Sequence, residues 1–259
     1  MYQHEDKENE DHFDEPSLED FLPNEDDRIL QEKQSERRAF IRKVIAIWLV
    51  FAMFISIIQI WPQIFNLSSI KFLQKSAELS EQENILKYKE AVVTIQDQYS
   101  KGTGFNISEN GVIITNKHVV ENMHPITITF PNGKIYKASI IQMDPEIDLA
   151  FLKIQGEKLP FLPLSAPDIW QVGDHIVVIG NPLLHNQIAN EGEILEGSKK
   201  NGVIRLSSPI YKGNSGSPII NQAGQVIGVV YAISTNDQAG IAIPIEQVLE
   251  KLAQYENKQ

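Results

Sequence analysis

"YKGNSGSPIINQAGQVIGVV", Tyr211–Val230, decides how the chain is built. Its first part is turn chemistry. Gly213 and Gly216 tolerate a positive φ, while Asn214, Ser215 and Ser217 can bond their own backbone. Taken alone, Ser215 is one more hydroxyl in a turn. Two short apolar runs then flank Gln222-Ala223-Gly224, the pattern of a β-hairpin. No helix-forming run follows the serine, so the segment reads as turn, strand, turn, strand.

Working outward, the same rhythm holds from about Lys89. Runs rich in Val and Ile alternate with Gly, Asn, Asp and Pro: "AVVTIQ", "GVIITN", "ITITFPNGKIYKASIIQ", "DLAFLKI", "HIVVIGNP", "GVIRLS" and "GIAIPI". A second hairpin signal stands at Pro131-Asn132-Gly133. Strands at this spacing predict an all-β barrel or sandwich. At the end, Pro244 occupies a helix-start position. Ile245, Val248, Leu249 and Leu252 then recur at i, i+3, i+4 and i+7, which predicts a terminal helix packed on the sheet. Gly102-Thr103-Gly104 is read as a β-turn, because no helix opens after it as a dinucleotide fingerprint would require.

Upstream the composition changes twice. Of 259 residues with formal charge −11, residues 1–36 hold fourteen acids against Lys7, Arg28 and Lys33. The remainder is therefore neutral, which argues against a nucleic-acid partner. The acidic leader is expected to be a disordered cytoplasmic tail, with too little apolar surface to offset its ordering entropy. Residues 37–61 are read as a basic flank and a transmembrane helix. Val44 to Ile70 carries no charge, and about 20 apolar residues suffice to span a bilayer. Arg37, Arg38, Arg42 and Lys43 precede the span, and Trp61 is expected at its outer boundary. By the positive-inside rule the N-terminus is cytoplasmic and everything beyond about residue 62 lies outside, in a single-pass arrangement at the cell membrane. Residues 62–88 are read as a juxtamembrane linker with a short stalk helix, and 89–259 as the globular domain. With no cysteine, disulfides and thiolate chemistry are excluded.

A chemical role for Ser215 requires a histidine and a carboxylate in workable order. Of the six histidines, only His118 directly follows a strong strand, in "GVIITNKHVVEN". Thirty residues on, Asp148 opens the apolar strand of "DPEIDLAFLKI". A carboxylate there is costly to bury unless it is hydrogen-bonded, and an imidazole N–H is a suitable donor. Asp144 and Glu146 compete with it but sit in a Pro-containing turn, where solvation is expected. The order His, Asp, Ser matches the chymotrypsin-type triad, whereas α/β-hydrolases and subtilisins use other orders. G-N-S-G-S also departs from the G-x-S-x-G nucleophile elbow in its last residue. His175 and His185 have no partners at metal-ligand spacing, and no metal or cofactor is expected.

"GTGFNISENGVIITNKHVVEN", "DPEIDLAFLKI", "VGDHIVVIGNP" and "GNSGSPIINQAGQVIGVV" together resemble the HtrA/Deg family of trypsin-like serine proteases, over about residues 89–254. The resemblance implies two six-stranded antiparallel β-barrels of chymotrypsin type with the active site in the cleft between them. It implies His118 as general base, Asp148 as its orienting carboxylate and Ser215 as the acylated nucleophile. It places the oxyanion hole at the N–H groups of Gly213 and Ser215, with Asn214 between them. It further implies polypeptide substrates, misfolded or exported, and a homo-trimer. Relatives commonly carry a PDZ domain, and none is expected here. Asn214 stands where zymogen-activated relatives have an Asp, so activation by N-terminal cleavage is not expected. "SSPIYK" before the loop holds no acid, which points to a small or medium aliphatic residue on the acyl side of the cut. A latent or chaperone-like member that binds unfolded polypeptide without turnover is the alternative expectation.

Overall fold

The computed structural model describes residues 25–64, 67–182, 185–198 and 202–256. It divides into two compact units, residues 1–66 and 67–259. The first unit is one helix, α1, Glu25–Ile64. The leader was expected without structure to residue 36, and this is corrected for 25–36, which are helical. The reason is local. Gln31, Glu32, Lys33, Gln34 and Glu36 are good helix formers, and extending an existing helix costs far less than nucleating one. Residues 1–24 of the leader lie outside the described residues, as does the side chain of Trp61. Within α1, Lys33–Ser56 has mean hydropathy 2.0 over its most apolar window. Apolar side chains such as Ile47, Trp48 and Leu49 are about two-thirds exposed. By length and composition alone, α1 is a helix that could cross a bilayer.

The second unit begins earlier than the sequence pattern suggests. Two helices, α2 (Leu67–Leu79) and α3 (Glu83–Ala91), precede the first strand. Leu79 and Ile85 are buried in the same core cluster as both sheets. Ser76 Oγ accepts the N–H of Ala189 at 3.0 Å. Most of the residues read as a linker thus pack into the second unit, which begins at residue 67 and not at 89. Its scattered apolar positions are the contact face of two short helices and not a spacer.

The strands follow in order: β1 (Val92–Gln96), β2 (Lys101–Asn106), β3 (Val112–Asn116), the one-turn helix α4 (Lys117–Val120), β4 (Thr127–Thr129), β5 (Ile135–Asp144) and β6 (Leu149–Ile154). These six close into an antiparallel barrel, β1-β2-β3-β6-β5-β4. The second set is β7 (His175–Gly180), β8 (Ile188–Glu193), β9 (Ile204–Leu206), β10 (Pro218–Ile220), β11 (Val226–Ile233) and β12 (Gly240–Pro244), followed by α5 (Ile245–Glu256). They form one antiparallel sheet, β8-β7-β10-β11-β12-β9. Among the described residues its edges meet at a bridge between Ile194 and Leu206, which brings this sheet toward a second barrel.

Three apolar clusters hold the body together. One fills the first barrel, with Ile95, Ile113, Ile128 and Leu152. Another fills the second, with Val178, Ile204, Ile219 and Ile227. The third is the seam, where Phe105, Ile114 and Phe151 of the first barrel meet Ile179, Val229 and Ile243 of the second. Ile245 and Val248 of α5 close this seam, as the helical spacing predicts. Lys251 of α5 also reaches Asp144 at 2.7 Å, with both side chains more than four-fifths buried. Asp144 was expected to be solvated. Burial works against its charge, yet the Lys251 ammonium and the N–H groups of Ile147 and Glu146 hold its pKa below the ordinary value.

The packing of α3 generates a test. Ile85 is 1% exposed and the adjacent Leu86 is 51% exposed. Ile85→Ala is expected to lower the unfolding free energy by about 2–5 kcal/mol. Leu86→Ala should stay within about 0.5 kcal/mol of the parent. Denaturant unfolding of the two variants checks whether α3 is core or appendage.

Candidate active site

The candidate base is set by backbone geometry at two strand ends. β3 runs straight into α4, and β6 pairs with β3 so that Leu149 lies opposite Asn116. Asp148, just before β6, adopts φ +57, a left-handed conformation that Asp tolerates better than most residues. This kink turns both its carbonyl and its carboxylate toward α4. The carbonyl accepts Lys117 N–H at 3.2 Å and Asn116 Nδ2 at 3.0 Å. One carboxylate oxygen accepts the N–H of His118 at 2.9 Å, and the other lies 2.6 Å from His118 Nδ1. An ionised carboxylate can only accept, so Nδ1 carries the proton and Nε2 is left with its lone pair. The hydrogen bond to Asp148 is the main reason the His118 pKa stands above its usual value. Burial opposes the rise, while the negative charges of Asp148 and Glu121 assist it. Tyr231 lies close enough to feel the same carboxylate. Burial first, and Asp148 second, push its phenol up and keep it neutral.

Ser215 stands in the loop between β9 and β10, where nearly every peptide is held. Asn214 N–H donates to Tyr211 O, Ser217 N–H to Asn214 O, and Gly216 N–H to Val230 O, all at 2.9–3.0 Å. Gly213 has φ +101 and Gly216 has φ +83. A Cβ on Gly216 would drive into the carbonyl of Thr103 and the hydroxyl of Thr115. Only glycine fits there, for conformation and for space. Among the described residues, the N–H groups of Gly213 and Ser215 take no partner. Asn214, grouped with them in the sequence reading, has its own N–H tied to Tyr211 and lies between two donors without being one.

His118, Gly213 and Ser215 line one cleft of about 420 Å³, together with Lys101, Asn181 and Lys212. The Ser215 hydroxyl has no hydrogen bond among the described residues. Contacts of this kind often tighten only when substrate is present. A larger cavity of about 830 Å³, lined by Lys87, Pro131 and Phe161 among others, holds neither a serine nor a histidine. The sequence reading missed the residues that hold the Ser215 loop from across the cleft. Thr103 was read as part of a turn, yet β2 is a strand. It is buried, its N–H donates to Ser215 O at 3.2 Å, and its hydroxyl donates to Gly213 O at 2.6 Å. The signal available was Phe105, a large apolar residue at strand register beside the glycines.

Residues 102–229, which include all three candidate residues, match the trypsin-like peptidase domain model. The chain is 39% identical over 161 residues to a "probable periplasmic serine endoprotease DegP-like" of Chlamydia trachomatis, covering 58% of this chain and 32% of that protein. It is 35% identical over 169 residues to the human "serine protease HTRA4", covering 61% and 35%. The chain thus spans about a third of the length of these curated relatives. Among solved structures, the serine endoprotease from Yersinia pestis superposes with a TM-score of 0.62 at 29% identity, covering 66% of this chain and 65% of that one. A body whose seam carries a histidine, an aspartate and a serine in trypsin-like order is thus similar to the HtrA/Deg-like serine proteases, over a trypsin-like peptidase domain at residues 102–229.

Proposed function

We propose that this chain is a membrane-anchored serine endopeptidase that cleaves misfolded or exported polypeptides at the cell envelope. The observation that carries this reading is the His118–Asp148 pair facing a cleft that also holds Ser215 and two unpartnered N–H groups. His118 Nε2 takes the proton from Ser215 Oγ as the oxygen attacks the scissile carbonyl. The carbonyl oxygen becomes an oxyanion facing the N–H groups of Gly213 and Ser215, each such donor being worth about 3–4 kcal/mol in the transition state. The imidazolium, stabilised by Asp148, then protonates the leaving amine. Water, activated by the same nitrogen, hydrolyses the acyl-enzyme. Lys101 and Lys212 line the cleft. Their charge disfavours basic side chains and supports aliphatic specificity. A homo-trimer is the assembly expected from the family resemblance.

The test is active-site labelling of the full chain in detergent with a fluorophosphonate, alongside casein cleavage. The wild type is expected to label and cleave, while Ser215→Ala and His118→Ala do neither. A wild type that binds unfolded casein without labelling would instead support the chaperone-like alternative.

The His118 pKa makes a second test. Its folded value is raised, so the imidazolium persists above the ordinary imidazole range and the base is neutral only at higher pH. The ascending limb of kcat/KM is therefore expected to have its midpoint above about 6.5. A midpoint at or below that value contradicts pairing with Asp148 in the free enzyme. The stability contribution of the pair has the matching sign: full below the unfolded value, and lost as pH rises through the folded one.

The tether rests on α1 and on the basic cluster at Arg37, Arg38, Arg42 and Lys43. Expressed in a bacterium, the full chain should remain in the membrane fraction after alkaline extraction. In intact spheroplasts, added protease should reach the domain beyond residue 67. Release of a soluble, shortened chain would make α1 a cleaved signal sequence.

A further inference from the structure

The geometry points to Thr103 as the positioning residue for the oxyanion hole: its hydroxyl, reaching over from the first barrel, fixes the peptide that joins the two hole donors. This rests on the proposed endopeptidase reading and adds to it a residue outside the triad and the hole. Four consecutive peptide planes make up the loop. The 214–215 plane is held by Ser217 N–H on Asn214 O, and the 215–216 plane by Thr103 N–H on Ser215 O and by Gly216 N–H on Val230 O. The 213–214 plane is held at one edge by Asn214 N–H on Tyr211 O and at the other by Thr103 Oγ1 on Gly213 O, at 2.6 Å. Among the described residues, the 212–213 plane, which carries the Gly213 donor, has no backbone hydrogen bond at all. Its direction depends on Gly213, a residue without side-chain restraint, and on the plane next to it. Thr103 holds that neighbouring plane.

The direction of the hydroxyl proton follows from its other partner. Asn181 N–H donates to Thr103 Oγ1 at 2.9 Å, so a lone pair is occupied and the single hydroxyl hydrogen is aimed at Gly213 O. Asn181 is itself fixed. Its Nδ2 donates to Val93 O at 3.0 Å, and its Oδ1 accepts Gln187 N–H at 2.9 Å. The Thr103 carbonyl accepts Thr115 Oγ1 at 2.7 Å. Thr103 is fully buried, so removing its hydroxyl leaves Gly213 O and Asn181 N–H without that partner. A glycine carbonyl freed in this way can turn, and the neighbouring N–H no longer points where the oxyanion forms. Substrate binding elsewhere in the cleft would be unaffected, so the loss appears in kcat and not in KM.

The experiment compares Thr103→Val, which replaces the hydroxyl by a methyl of the same shape, with Thr103→Ser, which keeps it, in the full chain in detergent. Thr103→Ala against Thr103→Ser serves as the backup pair if the valine variant does not fold. Steady-state kcat and KM on one fluorogenic peptide are read beside thermal unfolding. The hydroxyl-free variant is expected to lose about 10- to 100-fold in kcat, a fraction of what removing a hole donor costs. Its KM should stay within about twofold, and the serine variant should be close to wild type. Equal kcat with and without the hydroxyl overturns the proposal. So does a serine variant as impaired as the valine one, or a loss of activity that tracks only the folded fraction. Wild type that neither labels nor turns over sinks the endopeptidase reading itself, and is told apart because it fails before any variant is compared.

Discussion

The site exists because two segments 110 positions apart are hydrogen-bonded across the seam. The candidate base and its carboxylate belong to the first barrel, while the loop of the candidate nucleophile, Ser215, belongs to the second. Neither barrel alone holds more than part of the chemistry. The seam cluster presses the barrels together without direction, since apolar burial has none. Register comes from polar contacts: Thr103 to Ser215 and Gly213, and Asn181 to Val93. The connector adds two more, where Leu162 N–H donates to Asn106 O and Val226 N–H to Pro163 O, each at 2.9 Å. Gly216 is what lets the two backbones approach so closely.

The same logic explains which parts of the fold could be read from the chain. Strands that are near-continuous apolar runs, such as β3, β6 and β7, announce themselves by composition. β2 did not, because Gly102 and Gly104 depress strand propensity. The glycines are there for packing, since a Cβ on Gly102 would strike Val119 and one on Gly104 would strike Ile95. β8, with Asn190, Glu191, Gly192 and Glu193, reads as loop, yet it pairs with β7 over six residues. In both cases tertiary pairing overrides local preference. Asp144 carried no local sign of its partner, because Lys251 is more than a hundred residues away in sequence.

His118, Asp148 and Ser215 were legible for a different reason. Each sits beside a strongly patterned strand, and their order along the chain discriminates among unrelated folds. What the order cannot convey is how the residues are aimed. The positive φ of Asp148 gives one residue four contacts to α4 and its approach, which fixes tautomer and ring together. Backbone strain of this kind persists where surrounding contacts over-determine it, as they do here.

The helices ahead of the barrels bear on the Ser215 loop as well as on stability. Phe72 of α2 packs edge-on against the ring of Tyr211, with centroids 4.7 Å apart. Tyr211 is the residue whose carbonyl takes the Asn214 N–H, on the far edge of the peptide that Thr103 holds. Lys75, one turn along α2, pairs with Glu191 of β8 at 2.8 Å. The 213–214 peptide is therefore held from two directions, by the first barrel through a hydroxyl and by α2 through an aromatic contact. An aromatic pair of this geometry contributes about 0.5–1.5 kcal/mol beyond its buried area and does not by itself orient a peptide plane. The hydroxyl is directional and has a single acceptor. Of the two, Thr103 sets the angle of the peptide, and Phe72 limits how far Tyr211 can withdraw from it.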